Sequence, residues 1–211
     1  MLGATDGIVS TSAVAVAIAA VATTRDPILL ATVAAALAGA ASMAASEYVS
    51  VASARDAQQA DLEEEREQHA ERPAREQRAL ANMFAARGAS PETAAAIAAE
   101  LSERDALAAH AREELGLTDE LAARPLQTSA TSGVAFLAGS SIPIVAIRLA
   151  PLGMMLPSIA AATLVALIGL GIASATIGGA GRRRAVLRIV VGAGLAMTIT
   201  VIGSGLLGIE L

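Results

Sequence analysis

Three side chains set within long apolar runs are of types that could do chemistry: Asp6, Met43 and Glu47. A carboxylate at mid-bilayer costs about 2.5–3.5 kcal/mol on insertion scales, which makes an idle one expensive. Met43 stands four residues before Glu47, one helical turn away on the same face. Carboxylate oxygens joined by one thioether sulfur suit a borderline ion such as Fe²⁺. They suit Mg²⁺ or Ca²⁺ less well, because those ions take oxygens only. Ser42 and Ser46 could add hydroxyls or hold water. Read alone, Met43 is also what fills a gap in a core. The two acids could also snorkel outward, but their side chains are short for it.

A second set of chemical groups lies between residues 53 and 127. This segment holds 16 of the 20 acidic residues, from Asp56 to Glu120. Glu and Asp at helical spacing with an occasional His could chelate a metal, although a charge run is also what a solvated face looks like. His69 and His110 form neither an HxxxH nor an HExxH motif and are expected to be isolated. There is no cysteine, which excludes disulfides, thiolate sites and Cys nucleophiles. No phosphate-binding loop, nucleophile elbow or dinucleotide fingerprint is present, so neither an enzyme nor a prosthetic cofactor is expected. The acidic insert and the net charge of −5 argue against a nucleic-acid partner.

The elements that must position these groups follow from the charge distribution. Only 17% of the residues are charged and 55% are hydrophobic, against roughly a quarter charged in a soluble domain. Five apolar runs meet the requirement of about 20 residues for a membrane span: 1–22, 27–52, 128–148, 152–178 and 186–208. Arg25-Asp26-Pro27 is the only polar break between the first two, which predicts a tight helical hairpin. The start carries no basic region ahead of its apolar run, so it reads as a first membrane helix whose upstream flank is lost, and not as a cleavable signal. The spans are rich in Ala and Gly, which lets helix backbones pack closely in lipid. Gly169-Leu170-Gly171 and Gly203-Ser204-Gly205 are expected to serve that packing.

The fold class expected is therefore all-α: a polytopic membrane protein with five transmembrane helices and a helical insert between helices two and three. Residues 1–52 hold the first two spans, 53–127 the insert and 128–211 the last three. Arg55, Arg124, Arg182, Arg183, Arg184 and Arg188 flank one side, and only Arg25 and Arg148 the other. The positive-inside rule then makes the N-terminus and the insert cytosolic and the C-terminus external. At 1.5 Å per residue, Asp6 and Glu47 each lie about 7 Å into the cytosolic leaflet. Within the insert, Pro73 marks a boundary, and a helix is expected over 74–87 with Gly88 as its stop. Ser90-Pro91-Glu92 signals a new start, and a further helical segment is expected over 103–115, ending at Gly116. Leu80, Met83, Phe84, Ile97, Leu101, Leu107 and Leu115 would form its small apolar layer.

Three stretches carry a family resemblance: Asp6-Gly7-Ile8-Val9-Ser10, the span-two run from Gly39 through Met43 and Glu47 to Ser50, and His110-Ala111-Arg112-Glu113-Glu114-Leu115-Gly116. With five spans and an insert after the second, the chain resembles the vacuolar iron transporter family, and its Glu-Tyr-Val-Ser context looks like the bacterial branch. The resemblance implies a homodimer in the bacterial inner membrane that exports Fe²⁺, and in some members Mn²⁺, in exchange for protons. Its ion path runs between the subunits. The resemblance also implies that Asp6 and Met43 are ligands on that path, and that the insert is a metal-binding domain in which glutamates collect ions. The insert pattern matches only in part. Glu65 and Gln68 stand for the first glutamate pair, Glu76 and Ala79 for the second, and His110, Ala111 and Glu114 for the third cluster. Glu65, Glu76 and Glu114 thus remain, with His110 as a substitute ligand. A second-span glutamate of some relatives is Ala35 here, and Glu47 could compensate for it.

The expected mechanism moves the ion past Asp6, Met43 and Glu47, with Glu47 alternating between proton and metal. A carboxylate in a low dielectric favours its neutral form and drops its proton when a cation arrives. The rival expectation is a non-transporting membrane anchor or scaffold whose acidic insert binds a partner or senses metal.

Overall fold

In a computed structural model of the chain every described element is helical. Residues 1–117, 123–179 and 181–206 are described, with 201 and 203–206 described by backbone alone. The chain forms two compact units, one made of Met1–Tyr48 with Leu126–Leu211 and the other of Val49–Pro125.

Helix α1 (Leu2–Val21) and helix α2 (Arg25–Glu71) are separated by three residues, 22–24, so the break falls just before the predicted Arg25-Asp26-Pro27, which opens α2. Helices α3 (Pro73–Ala86) and α4 (Pro91–Glu113) follow. Then come α5 (Pro125–Leu149), one 3₁₀ turn (Leu152–Met154), α6 (Met155–Gly178) and α7 (Arg182–Leu206). Among the described residues, four stretches are long and apolar enough to cross a membrane: α1, α2, α5 and Leu152–Gly178. Helix α7 occupies most of the fifth predicted run and opens on three arginines. Residues 207 and 208 of that run lie outside the described residues.

The first unit is arranged for an apolar solvent. Thr11, Ser12, Thr32, Ser140 and Thr163 are buried, while Leu30, Val165, Ile177, Leu195 and Ile199 face outward. Water would favour the reverse arrangement. Ser12 and Thr163 hydroxyls meet at 2.7 Å between α1 and α6, the kind of interhelical polar contact that joins helices in lipid. Ile28, Ile147 and Ile159 centre one apolar cluster, and Ile8, Leu167 and Ala193 another.

Close backbone approach falls largely at glycines other than those expected. A Cβ at Gly7 would collide with the Phe136 carbonyl of α5, and one at Gly139 with the Ala4 carbonyl of α1. Gly171 does sit close to α7, where an added Cβ would stand 3.0 Å from Val186, but Gly169 faces open space. The side-chain surroundings of 203–205 lie outside the description.

In the second unit the local signals act as chemistry dictates. The Ser90 side chain accepts a hydrogen bond from the Thr93 backbone N–H, and Pro91 opens α4, an N-cap with proline at the first helical position. Gly88 takes φ +101° just beyond α3, and Gly116 takes φ +67° after α4. Both are left-handed conformations that glycine adopts without steric cost. The predicted boundary near 103 falls slightly later. Asp105 leaves the helical region (φ −161°, ψ 92°), and its carboxylate caps Ala108 N–H, so α4 is two helical stretches across a kink. Leu80 and Ala98 are fully buried, packed with Met83, Phe84 and Leu101. Ile97, Leu107 and Leu115 are only half-buried.

Candidate metal sites

Each unit carries one constellation that could handle a cation. In the membrane-type unit, Asp6 and Met43 line the same cleft, about 520 Å³ in volume, with Thr5, Val9, Arg188 and Ile189 among its other walls. Helix α1 presents Asp6 one residue before Gly7, a point of close contact with α5. That packing sets the position of the α1 backbone at Asp6, whose side chain is exposed. Met43 comes from α2 and is half-buried. Glu47 is also half-buried but is not among the residues that line the cleft. Two of the three groups singled out in the spans thus share a cavity. Sequence reading missed Arg188, which had served only as a marker of orientation. Its place four residues beyond Arg184, inside the apolar part of the helix and apart from the Arg182–Arg184 cluster, was the available signal.

The second constellation joins three helices of the other unit. Glu65 and His69 stand one turn apart on α2, beyond its apolar stretch, with the His69 Nε2 3.2 Å from the Glu65 Oε1. His110, on α4, has no exposed surface, and its Nδ1 lies 3.0 Å from the same Glu65 oxygen. That Nδ1 is also 3.2 Å from the Glu114 Oε2. The two imidazole rings meet edge to face with centroids 4.4 Å apart. The expectation that His69 and His110 are isolated is therefore corrected. The 40 residues separating them are closed by the packing of α4 against α2 and α3. Only the Glu65-x-x-x-His69 spacing on one helical face could have signalled His69 in advance.

The hydrogen bonding of His110 decides what this cluster can do. Its Nε2–H donates to the Glu76 backbone carbonyl at 3.1 Å. A carbonyl can only accept, so in the neutral ring Nδ1 has no proton and aims a lone pair at two carboxylates. Such an arrangement needs either a proton held between Nδ1 and a carboxyl oxygen or a metal ion at its centre. Anchoring one imidazole N–H on a carbonyl while the other nitrogen stays free is how proteins orient metal-binding histidines. The Glu65 Oε1 and the His69 Nε2 are buried and have no hydrogen-bond partner among the described residues, close as they are. Their ligand atoms and the His110 nitrogen all lie within 4.8 Å of one another. Adjacent donors about 2.1 Å from one ion stand roughly 3.0–3.4 Å apart, and the observed 3.0 and 3.2 Å spacings match.

Burial pushes the Glu65 carboxyl above its ordinary value. The His110 and His69 charges pull it down, and those of Glu114 and Glu76 push it further up. Glu76 itself enters the cluster through its backbone carbonyl. It also lines a separate hollow of about 280 Å³ with Gln68, Glu71, Arg72 and Arg75. The converging set is thus Glu65, His69 and His110, with Glu114 at its more exposed edge.

Apolar helices that bury hydroxyls and turn leucines outward, with a carboxylate and a thioether in a cleft among them, define an integral membrane protein of the polytopic helical class. The chain belongs to the VIT family, whose model matches residues 1–204. It is 40% identical over 214 residues to a vacuolar iron transporter of Acanthamoeba castellanii, a match covering 98% of this chain and 76% of the relative. It is 32% identical to vacuolar iron transporter homolog 1 of Oryza sativa subsp. japonica, over 95% of this chain and 68% of the relative. Homolog 5 of the same plant is 28% identical, over 95% of this chain and 74% of the relative.

Proposed function

We propose that this protein transports a divalent metal ion, Fe²⁺ with Mn²⁺ as a second substrate, out of the cytosol in exchange for protons. The observation that carries the reading is the shared cleft of Asp6 and Met43 within apolar helices. A hard anionic oxygen and a soft sulfur together bind a borderline ion weakly enough to release it. Glu47, one turn beyond Met43, is the carboxylate we assign to the alternation between proton and metal. The Glu65, His69, His110 and Glu114 cluster is read as the capture site, with Glu76 anchoring His110 through its carbonyl. The family membership and the names of the relatives support a metal ion as the cargo.

On this reading α7 is the fifth span and residues 53–127 form the cytosolic metal-binding insert. The N-terminus is cytosolic, the C-terminus external, the membrane the bacterial inner membrane, and the working unit a homodimer. The distribution of arginine supports the orientation.

Reconstitution in liposomes tests the proposal. Fe²⁺ or Mn²⁺ is placed on one side, a pH gradient is imposed, and metal and proton movements are followed with separate dyes. The expected result is metal flux coupled to an opposite proton flux that reverses when the gradient is reversed. Metal-independent conduction would replace the reading with a channel. Metal binding with no flux would replace it with an anchor that senses metal.

A further inference from the structure

Helices α6 and α7 enclose an apolar groove of about 500 Å³ that the transport reading does not use. Leu164, Ile168 and Ile172 form one wall at every fourth position of α6, and Val190 of α7 lies opposite. Leu164 to Ile172 gives a wall about 12 Å long at the helical rise. Close contact between Gly171 and Val186 holds the two helices together. Arg182 and Arg183, at the start of α7, also border the groove.

No Asp or Glu occurs in the sequence between Arg124 and Glu210. Neither Arg182 nor Arg183 forms an ion pair with any described residue. The walls of the groove are wholly apolar, so the two arginines border it through their hydrocarbon stems, and an apolar slot with two arginines at its rim fits a ligand with a hydrocarbon chain and an anionic head. A free phosphate would leave the groove unfilled, and a zwitterionic lipid would leave net positive charge unbalanced. Guanidinium forks match phosphate oxygens in geometry as well as charge, and basic pockets between transmembrane helices recognise anionic lipid headgroups.

We propose that the α6–α7 groove is a binding site for one anionic phospholipid, with an acyl chain along Leu164, Ile168 and Ile172 and the phosphate on Arg182 and Arg183. The site requires only that the protein sits in a membrane, so it stands or falls independently of metal transport.

Native mass spectrometry of the full-length protein in detergent tests this directly. Phosphatidylglycerol and phosphatidylcholine of identical chains are titrated in parallel, with glycerol phosphate as a soluble headgroup competitor. The wild type is expected to retain one phosphatidylglycerol per protomer at least tenfold more strongly than phosphatidylcholine. Glycerol phosphate should not displace it. R182Q/R183Q should bring the two lipids to parity, and R182K/R183K, which keeps the charge but loses the fork, should keep only part of the preference. I168W should weaken phosphatidylglycerol binding with both arginines intact. Equal retention of the two lipids by the wild type would overturn the proposal without any variant. An undiminished preference in R182Q/R183Q, unchanged binding in I168W or displacement by glycerol phosphate would each do the same.

Discussion

At the scale of single residues, His69 separates a metal-binding cluster from a satisfied acidic pair. Its Nε2 has no hydrogen-bond partner among the described residues, although Glu65 lies beside it. A structural histidine would be expected to bond something. His69→Ala in the full-length protein should therefore lower metal affinity by about 10–100-fold, the range found even for supporting groups at metal sites. Isothermal titration with Co²⁺ measures it, and unchanged affinity would remove His69 from the ligand set. Glu65 makes a second prediction through its raised pKa. Its stabilising contribution to the metal-free protein is full below the unfolded value, near 4.5, and is lost as pH rises through the higher folded value. Glu65→Gln removes that loss. Without metal, its melting temperature relative to wild type should rise from pH 4.5 to pH 7, while added metal should stabilise the wild type more than the variant. Thermal scans at the two pH values, with and without metal, check the sign. Of these residues, Glu65, His110 and Glu114 were legible from the family pattern. His69 was not, because no ligand motif links positions 41 residues apart and only tertiary packing brings them together.

At the scale of elements, α1 is fixed by what it lacks. Gly7 lies against the α5 backbone at the Phe136 carbonyl, immediately beside Asp6. Gly7→Ala should strain this contact by about 1–3 kcal/mol, the cost of overpacking a tight core. The same change should lower metal flux by displacing the adjacent carboxylate. Loss of thermal stability in detergent together with reduced flux is expected, and a variant as stable and active as wild type would show that the contact is not limiting. The helical runs and their stops were readable from sequence because Pro73, Gly88, Ser90 and Gly116 each act locally. The α1–α5 contact was less so. Small residues occur throughout the spans, and composition does not say which of them face a neighbour. Hence Gly169 faces open space where contact was expected, while Gly3, Gly7 and Gly139 make close approaches. The kink at Asp105 was missed for a similar reason. An aspartate within a charged helical run looks like another solvated acid until its carboxylate is seen to cap Ala108.

At the scale of the whole molecule, the segregation of charge already implied apolar helices flanking an acidic insert, because lipid and water sort residues more strongly than any local propensity does. The contents of the cleft needed the fold. The sequence suggested that Asp6, Met43 and Glu47 converge; Asp6 and Met43 line the cleft together with Arg188, and Glu47 is not among its walls. Arg188 brings a positive charge to the same cleft as the Asp6 carboxylate, a charge balance that an incoming metal must alter. The central claim is that the ion passes this cleft. The most direct measurement compares initial rates of Fe²⁺ or Mn²⁺ flux into liposomes for the wild type and Asp6→Asn, at matched protein content and pH gradient. The account predicts a loss of at least about tenfold, the scale of 1.4 kcal/mol in transport barrier, with the monodisperse behaviour of the protein preserved. Flux from Asp6→Asn at the wild-type rate would contradict it.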